Sequence, residues 1–126
     1  MRGGTSLGRV RGLGSAKSGV QHWWQQRVTA AGNLLLVLWF VVSLILLPDL
    51  THSSVVAWLK QPVAAVPMLL LIGSVCWHVR LGVQVLIEDY VHAEGLKLMS
   101  LLALNLYVVA VAAVSLFSVL KLSFGA

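Results

Sequence analysis

The sequence predicts an all-α integral membrane protein with three transmembrane helices, its N-terminus on the cytoplasmic (or matrix) side and its C-terminus on the opposite side. Three observations predict it. Hydrophobic residues make up 59% of the 126-residue chain and charged residues only 10%, against about 25% charged in an ordinary soluble domain. Three stretches are long and apolar enough to cross about 30 Å of hydrocarbon. Val28 to Leu47 and about Leu98 to Leu120 carry no charge, and about Val63 to Ile87 carries only His78 and Arg80 as ionisable groups besides the thiol of Cys76. Finally, the basic residues are lopsided: Arg2, Arg9, Arg11, Lys17 and Arg27 precede the first span, whereas Lys60, Lys97 and Lys121 stand singly in the first loop, the second loop and the tail. The positive-inside rule then puts the N-terminus and the second loop in the cytoplasm or matrix, and the first loop and C-terminus outside.

The same features exclude several function classes. The net charge of +5 is concentrated before the first span, so nucleic acid is not implied as a partner. The single cysteine, Cys76, lies inside the second span, which leaves no internal disulfide and no thiolate cluster for zinc or iron-sulfur. There is no nucleotide-binding fingerprint, nucleophile elbow, zinc motif or phosphate loop. A single small bundle of three helices in lipid also has too little interior to enclose a large cofactor, so a partner subunit is implied by size.

Taken in order, residues 1–19 read as a disordered basic cytoplasmic tail and residues 20–126 as a three-helix membrane anchor domain with spans of about 28–47, 63–90 and 98–120. The tail overlaps in composition with a mitochondrial transit peptide. Its five glycines between Arg2 and Lys17 disfavour an amphipathic helix, however, and fit a segment that binds anionic headgroups or a soluble partner. Between Val20 and Arg27 the run Val-Gln-His-Trp-Trp-Gln-Gln-Arg pairs flat amphipathic rings with a cation that can snorkel, as a headgroup-level anchor requires. Pro48-Asp49 stops the first span, and Thr51-His52-Ser53-Ser54 follows as a polar external loop with His52 solvated. Pro67 fits the first turn of the second helix. The acidic loop Glu88 to Gly95 closes the hairpin to the third span, where Asn105 is expected to make an interhelical hydrogen bond.

The second span carries the chemistry. An ionisable side chain at bilayer depth is costly and usually functional. At about 100° per residue, Ser74, Gly82, Val85 and Asp89 all fall within about 40° of His78, with small residues one turn above and below the imidazole. Arg80 and Gln84 fall at about 200° and 240°, on the opposite side, and Tyr90 at about 120°. Asp89 and Tyr90 stand eleven and twelve positions after His78, so the acid-phenol pair lies roughly 17 Å along the axis, at the membrane edge. A buried imidazole of this kind serves as an interhelical hydrogen-bonding group, a proton relay or an axial haem ligand. No second histidine or methionine clearly shares its depth and faces it, so a six-coordinate haem would take its other ligand from a different subunit. Asp89 and Tyr90 are either an interface acid and belt residue, or a proton-handling acid beside a phenol that donates to the carbonyl of a lipid-soluble quinone.

Two runs carry a resemblance. His78-Val-Arg-Leu-Gly82-Val-Gln84-Val-Leu-Ile-Glu88-Asp89-Tyr90-Val91, together with His22-Trp23-Trp24-Gln25-Gln26-Arg27-Val28-Thr29-Ala30, resembles the small hydrophobic membrane anchor subunits of succinate dehydrogenase, in the cytochrome b-containing succinate:quinone oxidoreductase family. The likeness covers nearly all of the chain after Gly19. It implies that His78 is an axial ligand of haem b, shared with a partner subunit. It also implies that Tyr90 and Asp89 border the ubiquinone site and that Arg27 and His22 stand near the haem propionates and quinone. Arg80, Gln84, Ser74 and Gly82 remain as buried polar or close-packing support. The resemblance further implies three partners: a second membrane anchor subunit of cytochrome b type, an iron-sulfur subunit and a flavoprotein subunit, with FAD and the iron-sulfur clusters held only by the latter two. The expected location is the bacterial inner (cytoplasmic) membrane rather than the mitochondrial inner membrane. The rival readings are a fumarate reductase anchor oxidising quinol, and a haem-free transport or proton-relay subunit using His78, Arg80 and Asp89.

Overall fold

The computed structural model describes residues 5–7 and 19–125; the expected disordered tail falls, apart from residues 5–7 and Gly19, outside the described residues. Over residues 19–125 four helices follow one another: α1 Gly19–Leu46, α2 His52–Leu59, α3 Pro62–Tyr90 and α4 Glu94–Phe124. The three long ones are apolar enough to cross a membrane. At 28, 29 and 31 residues they extend about 42–46 Å, so they outreach the hydrocarbon and end among the headgroups.

That surplus length revises the expected boundaries. α1 is helical from Gly19, well before the apolar run begins at Val28. Hydropathy marks where hydrocarbon starts, whereas a helix continues through any residues that tolerate it, and Val20 to Arg27 contains no breaker. Pro62, rather than Pro67, opens α3: Gln61 before it is extended (φ −82°, ψ 128°), the conformation a residue preceding proline prefers. Pro67 therefore lies inside the helix, where its ring removes only the hydrogen bond to a first-turn carbonyl.

The connection between the first two spans also holds an element that the polar run Thr51 to Ser54 does not announce. Thr51 caps α2 from an extended conformation (φ −69°, ψ 155°), its hydroxyl accepting from the Ser54 N–H at 3.5 Å. The same hydroxyl donates to Asp49 at 2.6 Å, and the Thr51 N–H donates to Asp49 at 3.0 Å. Hydrogen bonds from Ser54 and Thr51 hold the Asp49 carboxyl below its ordinary range. Trp58 then stacks on Trp39 of α1, with ring centroids 5.8 Å apart, and Leu59 is buried. Apolar anchoring of this kind is what makes an eight-residue helix persist.

α3 is the central helix. It packs against α1 on one side and α4 on the other, while among the described residues the backbones of α1 and α4 do not come close to each other. The expected three-helix bundle is therefore a layer with α3 between α1 and α4. Lipid is as apolar as leucine, so nothing drives the outer helices together to bury their remaining faces. The buried side chains are all apolar, with Ala64, Leu71 and Leu81 on α3, Val108 and Val119 on α4, and none on α1. Close approach of α1 to α3 runs through Gly32, where a Cβ would lie 3.8 Å from the Ser74 hydroxyl.

On the α4 side, the Arg80 Nε–H donates to Asn105 Oδ1 at 2.7 Å, and its guanidinium sits 5.1 Å from the Trp77 ring centroid. A hydrogen bond from a charged donor contributes about 1.5–3 kcal/mol, and the aromatic face adds to it in a desolvated setting. Asn105 thus makes an interhelical bond, with Arg80 as its partner. At one end of the layer Lys97 donates to the Glu88 carbonyl at 3.0 Å. At the other, Lys60 lies beside Gly125, the left-handed C-cap of α4 (φ 76°). The first loop and the C-terminus accordingly share an end.

Candidate functional site

Antiparallel packing of α1 on α3 brings the two sequence motifs together. His78 projects from α3 toward α1, where its Nδ1 lies 2.9 Å from the Thr29 hydroxyl oxygen. That hydroxyl also lies 2.8 Å from the Gln25 carbonyl and 3.2 Å from that of Gln26, the usual back-bonding of a helical threonine. Toward the N-terminal end of α1 the helices part into an open cleft of about 450 Å³, within the range of cofactor and ligand sites. His78, Gly82 and Val85 line it from α3, and Gly19, His22, Trp23, Gln26, Arg27 and Ala30 from α1.

Gly82 permits the close approach. A Cβ there would stand 3.4 Å from the Gln26 side-chain nitrogen, in van der Waals contact, so a larger side chain would take up part of the cleft. Arg27 is exposed, with its guanidinium 5.3 Å from the Trp23 ring centroid, and Trp23 and Trp24 stack at 6.1 Å on the outer surface. Two polar atoms at the cleft, His22 Nε2 and Gln26 Oε1, are buried without a hydrogen-bond partner. Asn33 Oδ1, farther along α1, is a third. Unsatisfied buried polar atoms are rare and mark either a missing partner or a functional site.

The other expected residues fall elsewhere. Ser74 faces Gly32 across the same α1–α3 contact. Arg80 is committed to Asn105 on the opposite face, and the Gln84 amide donates to Glu88 at 2.8 Å. Asp89 and Tyr90 end α3 on the exposed surface, Tyr90 being 77% accessible, and neither lines the cleft. Among the described residues no group of histidine, cysteine or carboxylate side chains could by itself hold a metal ion.

Two residues of the site were not singled out from sequence: Gln26, which lines the cleft, and Thr29, which meets His78. The signal was present. With His22 and Asn33 they recur at spacings of four, three and four, a polar stripe along one face of a helix whose other side chains between Val28 and Leu46, Ser43 apart, are apolar.

Known proteins similar to this chain are membrane anchor subunits. Residues 1–114 match the family described as Succinate dehydrogenase/Fumarate reductase transmembrane subunit. A succinate dehydrogenase hydrophobic membrane anchor subunit from Rickettsia bellii is 33% identical over 111 residues, covering 82% of this chain and 89% of the relative. A succinate dehydrogenase membrane anchor subunit from Reclinomonas americana is 33% identical over 99 residues, covering 75% and 82%. A hydrophobic membrane anchor subunit from Paracoccus denitrificans is 26% identical but spans 93% of this chain and 90% of its own. No solved structure matches significantly. With three apolar helices and a family match over most of its length, the chain belongs to the succinate dehydrogenase/fumarate reductase transmembrane subunit family.

Proposed function

We propose that this chain is the hydrophobic anchor of a succinate dehydrogenase and, with a second membrane subunit, binds haem b in the α1–α3 cleft and ubiquinone near Asp89 and Tyr90. The observation that carries the reading is the placement of His78 at a cleft whose glycine floor and partnerless polar atoms suit a flat polar-edged group. Haem b, when bound, supplies one-electron transfer between states of its iron. His78 would hold the iron. Arg27 and His22 would meet the carboxylate edge, where a cation and an N–H donor stabilise negative charge. Gly82 keeps the floor open, Ser74 keeps α1 close to α3, and Gln84 and Arg80 stiffen the outer face of α3.

For the quinone, Tyr90 donates a hydrogen bond to a carbonyl oxygen and orients the ring. Asp89, at the aqueous edge, passes protons in. Reduction to the quinol takes two electrons, delivered from succinate oxidation by a flavoprotein and an iron-sulfur subunit, and two protons from the inner side. The residues here supply binding, orientation and proton access, while the hard redox chemistry belongs to the cofactors.

The membrane in this reading is a bacterial inner membrane, and the distribution of lysine and arginine supports an orientation with the N-terminus and the α3–α4 connection on the cytoplasmic side, where the soluble subunits dock. Single cysteines at Ser18 and Ala93, in a background lacking Cys76, should then label from the same side and a cysteine at Ser53 from the other. Labelling of Ala93 only from outside would reverse the topology and move the docking face. Purification of the complex from native membrane, with its subunit composition and reduced-minus-oxidised spectrum taken together, tests the whole reading. A b-type band with flavoprotein and iron-sulfur subunits is expected, and a colourless complex would favour a haem-free proton-handling subunit.

A further inference from the structure

One hydroxyl proton on Thr29 has three claimants, the Gln25 carbonyl at 2.8 Å, the Gln26 carbonyl at 3.2 Å and His78 Nδ1 at 2.9 Å. If Thr29 donated to Nδ1, the proton of the neutral imidazole would sit on Nε2. Among the described residues Nε2 has no acceptor, so an N–H would be left unsatisfied beside a largely apolar cleft. If Nδ1–H instead donates to Thr29, that hydroxyl is free to donate to Gln25. Every donor is then satisfied, and only the lone pair of Nε2 is left over. An Nε2 that ligates a metal must keep its lone pair free, which places the imidazole proton on Nδ1 and makes Thr29 its acceptor.

We infer that Thr29 is a positioning residue for His78: its hydroxyl accepts from Nδ1–H, fixes the ring in the Nδ1-protonated tautomer and presents the Nε2 lone pair as a metal ligand. This rests on the haem reading above but adds a residue and a tautomer to it. A ligating histidine needs its second nitrogen anchored, and the anchor both orients the ring and strengthens the donor nitrogen. Here the anchor comes from α1, so helix packing sets the properties of the ligand on α3. A stronger donor favours ferric iron, and loss of the bond should raise the midpoint potential.

Thr29→Val keeps the shape and removes the acceptor, while Thr29→Ser keeps the hydroxyl. In the purified complex, Thr29→Val should shift the ferric-to-ferrous ratio at fixed potential about threefold toward ferrous, which is about 30 mV at 59 mV per tenfold for one electron. It should also change the low-spin electron paramagnetic resonance g values, which follow ring orientation, whereas Thr29→Ser should stay near the parent on both counts. Unchanged potential and g values in Thr29→Val, or an equal shift in Thr29→Ser, would overturn the assignment.

Should Thr29→Val lose haem altogether, nitrogen-15 resonances of His78 in histidine-labelled complex from haem-deficient cells decide the matter. A ring protonated at Nδ1 in the parent and Thr29→Ser, and no longer so fixed in Thr29→Val, supports the inference. A parent ring protonated at Nε2 overturns it. Failure of the haem reading looks different: no b-type band in the parent complex, with the nitrogen-15 signals still reporting the tautomer.

Discussion

Replacing His78 with leucine is expected to abolish the parent low-spin b-type spectrum of the assembled complex, the largest effect of any single change in this chain. Leucine fills a similar volume and has no lone pair. Leucine could not hold the iron, so the spin state and potential that an imidazole ligand would confer should change. Packing of the ring in the α1–α3 cleft could retain the group after the bond is gone, so haem content alone does not report on ligation. Visible and low-temperature electron paramagnetic resonance spectra do. An unchanged low-spin spectrum at an unchanged potential would sink the assignment of His78, and the histidine would then be an interhelical group bonded to Thr29 at 2.9 Å and nothing more.

Tyr90→Phe should come second. Tyr90 ends α3 at the surface and is 77% accessible, so its hydroxyl is free to meet a ligand arriving from the lipid edge. Phenylalanine keeps the ring and removes only the donor. Loss of a hydrogen bond worth about 0.5–1.5 kcal/mol corresponds to about a 2- to 13-fold fall in quinone reduction, at 1.36 kcal/mol per tenfold. Electron delivery to an artificial dye, which draws on the partner subunits upstream, should stay near the parent rate. Equal loss of both activities would indicate failed assembly. Undiminished quinone reduction would return Tyr90 to the aromatic belt, where a phenol at headgroup level needs no specific partner.

The three spans, their order and the opposite orientation of Arg80 and His78 were legible because they depend on composition and on a fixed 100° step along one helix. The short helix α2 was not, since the polar residues Thr51 to Ser54 that mark a loop also make an N-cap, and stacking of Trp58 on Trp39 resolves the ambiguity from outside the segment. Start points failed for a related reason. Helix ends follow capping and backbone geometry at Gln61 and Pro62, whereas hydropathy follows the water boundary.

The sequence by itself determined that this chain lives in a membrane, crosses it three times, carries a deep histidine between small residues and ends its second span in an acid and a phenol. These are properties of local composition and helical periodicity. Only the tertiary structure decided that the helices form a layer with α3 between α1 and α4, that Arg80 pairs with Asn105, and that His22, Gln26 and Thr29 come to the same cleft as His78. The physical reason is register. Residues some fifty positions apart meet only when two helices pack at a particular offset, and in lipid that offset is set by close contacts such as Gly32 on Ser74 and by hydrogen bonds such as that between His78 and Thr29, neither of which leaves a trace in the hydropathy of either helix.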